Sequence, residues 1–531
     1  MNRPAINTLA PEHDEATILL RHPLKKKIND AIIALSLANL CFISAWFGPL
    51  YDADLGFFNR LPVIPPTLLA LTTNILWFAL LAWLVMQARR RFQNGVLHLA
   101  IHLVFLFALL MVADRLRAAF NPKFNLEQLV RQPAGALVAV VVGAVVLWKH
   151  RQIAKVGALI VAILSPMAVF NLGRIALLCL GVTHLRQAGE DPALPPLGPV
   201  HENQPRVVWI IFDEMDYRLV FEKPPAGFQF PEFDRLRNES LFATKAFPPT
   251  DGTILSMPSL IIGRQVRMTT LTNSSDLALT FADTDGMVEW STLPSVFSSA
   301  RQLGVNTALV GWYIPYGRVL HRDLNYCSWY PYPAFEPSRS TTFGKSMLRQ
   351  IECLSGPLHI RQGFVDMYHK SMNDSLSLVT NAIYGLILLH LYPPHAPGLY
   401  LPDKDHFSLV SQPRAHAYLN NLVLADRSFG QLRRTMEQSG QWNKTWVILS
   451  ADHSWRESRI YDGQRDFRIP FLVKPPGVNG SMTYEQQFNT TLTRDLIQAI
   501  LHGGVTNQQN VAVWLDAHGE PLLPIQGKFK E

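Results

Sequence analysis

The stretch "VVWIIFDEMD", residues 207–216, decides the fold. Six apolar residues, mostly β-branched or aromatic, run without alternation into Asp213, Glu214 and Asp216. That is the pattern of a strand buried on both faces that delivers carboxylates at its C-terminal tip. Similar runs follow at "NTALVGWY" (306–313), "YGLILLHL" (384–391), "TWVILS" (445–450) and "PFLVK" (470–474). Helical patterns lie between several of them, at "LPSVFSSARQLG" (293–304) and "AYLNNLVLADRSFGQLRRTMEQ" (417–438). In the second, Leu419, Leu422, Phe429, Leu432 and Met436 form one apolar stripe, and Asp426 on the same stripe reads as a structural polar contact. Strands alternating with helices predict an α/β sandwich with a largely parallel central sheet, whose sites gather at the C-terminal ends of the strands. The region from about 321 to 380 reads as a long irregular insertion.

The part before this sheet has another character. The 531 residues are 48% hydrophobic and 17% charged, too apolar for a wholly soluble chain. Apolar runs at Asp30–Leu50, Pro65–Met86, Val96–Val112, Ala134–Trp148 and Val156–Val182 approach the roughly 20 residues that cross a bilayer. The expectation is a polar cytoplasmic tail (1–28), a transmembrane domain of five helices (29–185), a Pro-rich linker (186–205) and an exported domain (206–531). Orientation follows from basic residues near the spans: Lys25, Lys26 and Lys27 before the first, Arg89, Arg90 and Arg91 after the second, Lys149, Arg151 and Lys155 between the fourth and fifth. Arg115, Arg117, Lys123 and Arg131 run against this bias. The N-terminus is thus expected in the cytoplasm of a multi-pass inner-membrane protein, with the last domain on the periplasmic side and no removable signal peptide. These basic clusters account for much of the net charge of +7, so no nucleic-acid partner is implied. Cys41 and Cys179 fall in spans, whereas Cys327 and Cys353 fall in the exported part, where a disulfide and two thiols are both open. Neither has the spacing of a structural zinc site.

A second strand, "VILSADHSW" (447–455), delivers Asp452 and His453 together. Two strand ends that present Asp213, Asp452 and His453 make a divalent-metal site, hard oxygens with an imidazole, open to a substrate or nucleophile oxygen. Asp213 or its neighbours could instead cap the following helix.

These residues resemble the alkaline phosphatase superfamily, in particular its sulfatase-like branch, over roughly 205 to 505. Members open with a strand ending in an acidic metal ligand, carry a Thr, Ser or modified Cys nucleophile some tens of residues later, and close with an Asp-His pair. "FRIPFLVKPPG" (467–477) is similar to the segment after that pair in sulfatases. The hydroxyls of "AFPPTDGTILSMPSLIIGR" (246–264) offer Thr250, Thr253, Ser256 and Ser259. Counting back ten from Gly263 gives Thr253, and "TILSMP" fits the Thr-x-x-Ser-x-Pro pattern of bacterial phosphoethanolamine transferases. Ser256 is the rival, since "SMPS" resembles the Ser-x-Pro-Ser of sulfatases whose Ser becomes formylglycine. It lacks the expected Arg, which is Leu260 here, and no cysteine lies between Cys179 and Cys327.

"LLHLYPPHAPGLY" (388–400) resembles a further segment of those transferases, aligning His390 and His395 with two family histidines. His395 then reads as a substrate-binding or proton-donating group and His390 as a structural histidine with a possible substrate role. After Asp-His the chain departs from the transferase pattern with Ser454, Trp455, Arg456 and Glu457. Glu214, Arg456 and Arg459 are candidate substrate-binding groups, the arginines as grips for an anionic phosphate.

The resemblance implies a metal held by Asp213, Thr253, Asp452 and His453, Zn or Mn first, with Ca or Mg open. It implies catalysis by Thr253 and His395 through a phosphothreonine intermediate, in a membrane-anchored phosphotransferase or phosphodiesterase similar to phosphoethanolamine transferases and lipoteichoic acid synthases. The donor would be a membrane lipid, and the acceptor a glycan, a lipid or water. A sulfate-ester hydrolase and a non-catalytic protein retaining the fold are the alternatives.

Overall fold

The structure is a computed structural model describing residues 15–51, 56–92, 95–120, 130, 133–183, 193–198, 204–335, 338–477, 480–526 and 528–530. Much of the expected tail and linker, with Lys123 and Arg131, lies outside these residues. The chain forms two compact units. One comprises residues 1–51, 63–185 and 338–356; the other comprises 52–62, 186–337 and 357–531. Residues 52–62 and 338–356 each belong to the unit that the linear order does not suggest.

The first unit is helical, and its apolar helices fit a transmembrane region. Among the described residues three are long and apolar enough to cross a membrane, Pro65–Arg91, Gly95–Leu116 and Pro133–Cys179, or four if Lys26–Cys41 and Ile43–Tyr51, bent by 73°, make one span. Five were expected. The difference lies at Lys149–Lys155, where the sequence reading breaks the chain into two spans but the helix runs on from Pro133 to Ile163. Lys, Arg, Gln and Ala are good helix formers, so a basic cluster without Gly or Pro does not end a helix. Polar contacts tie the helices inside: Ser36 Oγ donates to the Val161 carbonyl at 2.6 Å, and Asn171 Nδ2 to Asn39 Oδ1 at 3.0 Å.

The second unit is the α/β sandwich. We number its main strands β1 (Arg206–Phe212), β2 (Leu241–Ala243), β3 (Thr307–Trp312), β4 (Tyr326–Tyr330), β5 (Leu386–Leu391), β6 (Thr445–Ala451), β7 (Phe471–Lys474) and β8 (Met482–Tyr484). They form one sheet in the order β8-β2-β7-β6-β1-β5-β3-β4. Only β7 runs against its neighbours, β6 and β2. Along β1, Val207, Trp209 and Ile211 enter one apolar core and Val208, Ile210 and Phe212 the other. Helices on both faces are what an unbroken apolar strand requires. The expected irregular insertion is largely ordered: it holds β4 and the helices Phe343–Glu352 and Pro357–Thr380. In the latter the buried stripe of Phe364, Met367, Tyr368, Ser371, Met372, Ser375, Leu378 and Val379 is diluted by serine, which weakens the apolar period.

Arg206, at the start of β1, is buried and donates to the carbonyls of Tyr384 and Val379 and to Thr445 Oγ1. Residues 194–198 of the linker are held by Asn306 and Asn325, with the Leu197 amide donating to Asn306 Oδ1 at 2.7 Å. The segment 52–62 contributes Phe57 and Phe58 to the core beneath the sheet. Arg318 fixes it by donating to the carbonyls of Gly56, Phe57 and Asn59.

Candidate active site

Register places the site. Phe212 pairs with Ala451 on one side and Leu391 on the other, so Asp213, Asp452, His453 and His390 emerge at neighbouring strand ends. Gly263, in the left-handed region at φ +78°, ends the helix Thr253–Ile262, whose first residue presents its hydroxyl to the same point. Thr253 Oγ1 lies 3.2 Å from His453 Nε2 and 3.3 Å from Asp213 Oδ2. The other hydroxyls of that stretch turn away: Ser256 Oγ bonds Thr250 Oγ1 at 2.8 Å, and Ser259 Oγ donates to the Leu255 carbonyl at 2.6 Å.

Asp213, Asp452 and His453 are buried, with one ligand atom from each within 4.8 Å of the others. His453 Nε2 stands 3.4 Å from Asp452 Oδ2 and 3.8 Å from Asp213 Oδ1. Both carboxylate oxygens are buried without a hydrogen-bond partner. Such orphaned anionic atoms call for a counter-ion. Two ligands about 2.1 Å from a tetrahedral metal stand about 3.4 Å apart, so the cluster fits a divalent cation. The remaining atoms are already committed in a way that aims the free ones inward. Asp452 Oδ1 accepts from the amides of Glu214 and His453, and His453 Nδ1 lies 3.0 Å from the Ser454 carbonyl, which leaves Nε2 with its lone pair toward the cluster.

Charge balance follows the same geometry. Burial raises the Asp213 carboxyl, but His395, His390 and His453 outweigh it and hold the pKa down at about 2. Asp452, buried beside the Asp213 charge, is pushed up. Desolvation lowers His395, yet Asp213 and Glu214 raise it further, so its imidazole is protonated above the usual range.

His390 is brought into the cluster. Its Nε2 stands 3.6 Å from Asp213 Oδ2 and its Nδ1 2.8 Å from the Tyr316 hydroxyl. Burial holds the Tyr316 phenol well above its ordinary pKa, so it donates, and the His390 proton sits on Nε2 toward Asp213. His395 packs edge-on against Trp312, with centroids 5.1 Å apart. Glu214 takes a left-handed φ of 65° and accepts from Arg456 Nε at 2.8 Å. Arg456 is thereby committed to a carboxylate, and Arg459 is exposed on a short helix without an ion pair among the described residues. Asp216 caps the next turn through the Leu219 amide at 3.1 Å. Asp426 accepts from the amides of Glu232 and Phe233, joining two helices away from the cluster. No disulfide joins Cys327 to Cys353 among the described residues.

Three contributors escaped the sequence reading. The Tyr418 hydroxyl donates to the Glu214 carbonyl at 2.7 Å and accepts from the Asp216 amide at 3.1 Å, and its ring stacks on Trp455 at 3.8 Å. It therefore clamps the Asp213 and Asp452 loops together. Tyr316 orients His390, and Arg465 buries one guanidinium nitrogen without a partner while facing Glu214, Asp216 and Asp251. No local signal marks any of them, because each acts on backbone or charge distant in sequence.

A mostly parallel sheet whose strand ends gather two carboxylates, an imidazole and a threonine hydroxyl defines a class of metal-dependent hydrolases and transferases. The chain belongs to the sulfatase family, within the alkaline phosphatase superfamily, and that family's profile matches residues 205–502. No curated protein matches the chain. Among solved structures, the PsFucS1 sulfatase from Pseudoalteromonas sp. is similar at 16% identity and a TM-score of 0.41, covering 57% of this chain and 68% of that one. The lipoteichoic acid synthase LtaP from Listeria monocytogenes is similar at 16% identity and a TM-score of 0.39, covering 56% and 72%. The phosphonate monoester hydrolase of Agrobacterium radiobacter is similar at 11% identity and a TM-score of 0.36, covering 56% and 74%.

Proposed function

We propose that the chain is a membrane-anchored phosphotransferase or phosphodiesterase that works outside the cytoplasmic membrane through a covalent intermediate on Thr253. One observation carries this reading: the hydroxyl at the Asp213–His453 cluster is a threonine, which cannot become formylglycine, and Ser256 is bonded away from it. A divalent ion, Zn or Mn first, would be held by Asp213, Asp452, His453 and Thr253, and would lower the hydroxyl pKa and neutralise charge on a phosphoryl oxygen.

The chain's own groups then divide the work. Thr253 Oγ1, at a helix N-terminus and ionised by release of its proton to water, attacks phosphorus; the Oγ–P bond forms as the bond to the leaving oxygen breaks. His395, protonated beside Asp213 and Glu214, supplies the proton that the leaving oxygen takes. The same imidazole, now neutral, accepts a proton from the incoming hydroxyl when the phosphothreonine is resolved. Tyr316 and His390 hold Asp213, and Tyr418 holds the loop carrying Glu214. The apolar helices fit a lipid donor, since anchoring raises the local concentration of head groups. The acceptor is a glycan, a lipid or water.

The test is incubation of the purified full chain with phosphatidylethanolamine and with phosphatidylglycerol, isotopically labelled in the head group, followed by mass spectrometry of the Thr253 peptide. A phosphodiester adduct on Thr253 is expected, and turnover without one overturns the reading.

A further inference from the structure

Helix Phe343–Glu352, within the sheet-bearing half of the sequence, belongs to the helical unit. Its inward face is polar. Ser346 and Gln350, spaced i,i+4, are both fully buried at 0% exposure. They meet the helix Pro65–Arg91: Asn74 Nδ2 donates to Gln350 Oε1 at 2.9 Å and to the Met347 carbonyl at 3.1 Å, Gln350 Nε2 donates to the Thr67 carbonyl at 3.0 Å, and Thr67 Oγ1 lies 3.3 Å from Ser346 Oγ. Just beyond the helix, Arg115 donates to the Cys353 carbonyl at 2.8 Å.

The outward sides are the reverse of a water-facing helix. Leu348 and Ile351, spaced i,i+3, are 57% and 40% exposed. Lys345, Arg349 and Glu352, spaced i,i+4,i+7, form a separate charged side, with Arg349 3.7 Å from Glu352. A helix that buries its glutamine and exposes its leucine gains nothing from water on that side. The partner helix exposes Leu69, Leu76 and Trp77 and is itself long and apolar enough to cross a membrane, so the polar network ties Phe343–Glu352 to a membrane-type span.

We propose that Phe343–Glu352 lies in the membrane interface, with Leu348 and Ile351 among lipid acyl chains and Lys345 and Arg349 toward the phosphate head groups. The buried Thr67, Asn74, Ser346 and Gln350 network is then the polar contact that holds an interfacial helix against a span, where apolar packing has no solvent drive. The segment 338–356 is a second membrane anchor, separate in sequence from the N-terminal helices.

Photo-crosslinking of the full chain tests this. A benzophenone amino acid is placed at 348, 351, 77 or 513 in separate variants, each reconstituted in vesicles of phosphatidylethanolamine and phosphatidylglycerol with radiolabelled acyl chains. Size-exclusion profiles matching the parent establish that each variant is folded. Lipid adducts at 348 and 351 are expected several-fold above those at 513, an exposed valine of the other unit, and comparable with those at 77. Adducts at 348 and 351 no higher than at 513 overturn the proposal, as does a crosslinked pair of chains, which would make a second copy the occupant. Absence of lipid at 77 as well overturns it together with the membrane reading of the helical unit, whereas lipid at 77 alone overturns only the anchor.

Discussion

Thr253 and His453 are separated by 200 positions in the chain, yet the threonine hydroxyl stands 3.2 Å from the imidazole Nε2. The contact exists because a helix start and a strand end are aimed at one point.

If that hydroxyl forms the covalent intermediate, Thr253→Ala lowers kcat by at least ~10³-fold, because nothing else at the cluster can replace it. Thr253→Ser keeps activity within about 10² of the parent, since the oxygen survives and only the rotamer restriction is lost. Ser256→Ala loses the bonds to Thr250, costing about 1 kcal/mol of stability with little change in turnover. Rates on a chromogenic phosphodiester and a chromogenic sulfate ester check this; a dead Ser256→Ala beside an active Thr253→Ala reverses the assignment.

Removing a ligand should empty the site while leaving the fold. His453→Ala and Asp452→Asn are expected to lose bound metal, measured by plasma mass spectrometry, and to lose turnover with unchanged far-ultraviolet dichroism. Full activity in protein stripped of metal would sink the site.

Lys474, buried at the end of β7, donates to the carbonyls of Trp442 and Pro475, and burial lowers its pKa to about 8 despite the Glu239 charge. The unfolded lysine titrates near 10.4, so between about pH 8 and 10.4 the unfolded state binds more protons and stability rises with pH. Below pH 8 that gain is absent, because the folded state must hold a buried cation. The parent should therefore gain up to about 3 kcal/mol on Lys474→Met across this window. Melting of both proteins in detergent from pH 7 to 10.5 reads the difference, and a pH-independent difference refutes it.

A cytoplasmic N-terminus, expected from Lys25–Lys27 and Arg89–Arg91, puts the catalytic unit outside only if the number of crossings is odd, so the Pro133–Cys179 stretch, interrupted at Leu164, must cross twice. An alkaline phosphatase reporter fused near residue 190 is expected to be active, and a silent, stably expressed fusion would place the catalytic unit on the other side.

Much of the fold was legible because its strands are buried on both faces: β1, β3, β5, β6 and β7 each read as an apolar run. The three-residue strands β2 and β8 at one end of the sheet were not, since three residues carry no period. Asp213, Asp452 and His453 were legible as strand ends. His390 read as structural because an apolar strand hides which face of the sheet end it shares with Asp213. Sequence also does not tell that Glu214, turned by its left-handed backbone, takes the Nε of Arg456, the arginine read as a candidate phosphate grip.

Phe57 and Phe58 fill the core beneath the sheet although they are made about 150 residues before it. A soluble fragment begun near residue 205 would thus be missing two keystones rather than a tail. Each vacated aromatic socket costs about 3–5 kcal/mol, and the same cut takes from Arg318 the carbonyls of Gly56, Phe57 and Asn59. Recombinant production of the catalytic part would need the 56–62 peptide returned to it, by circular rearrangement of the gene or as a separate strand of chain.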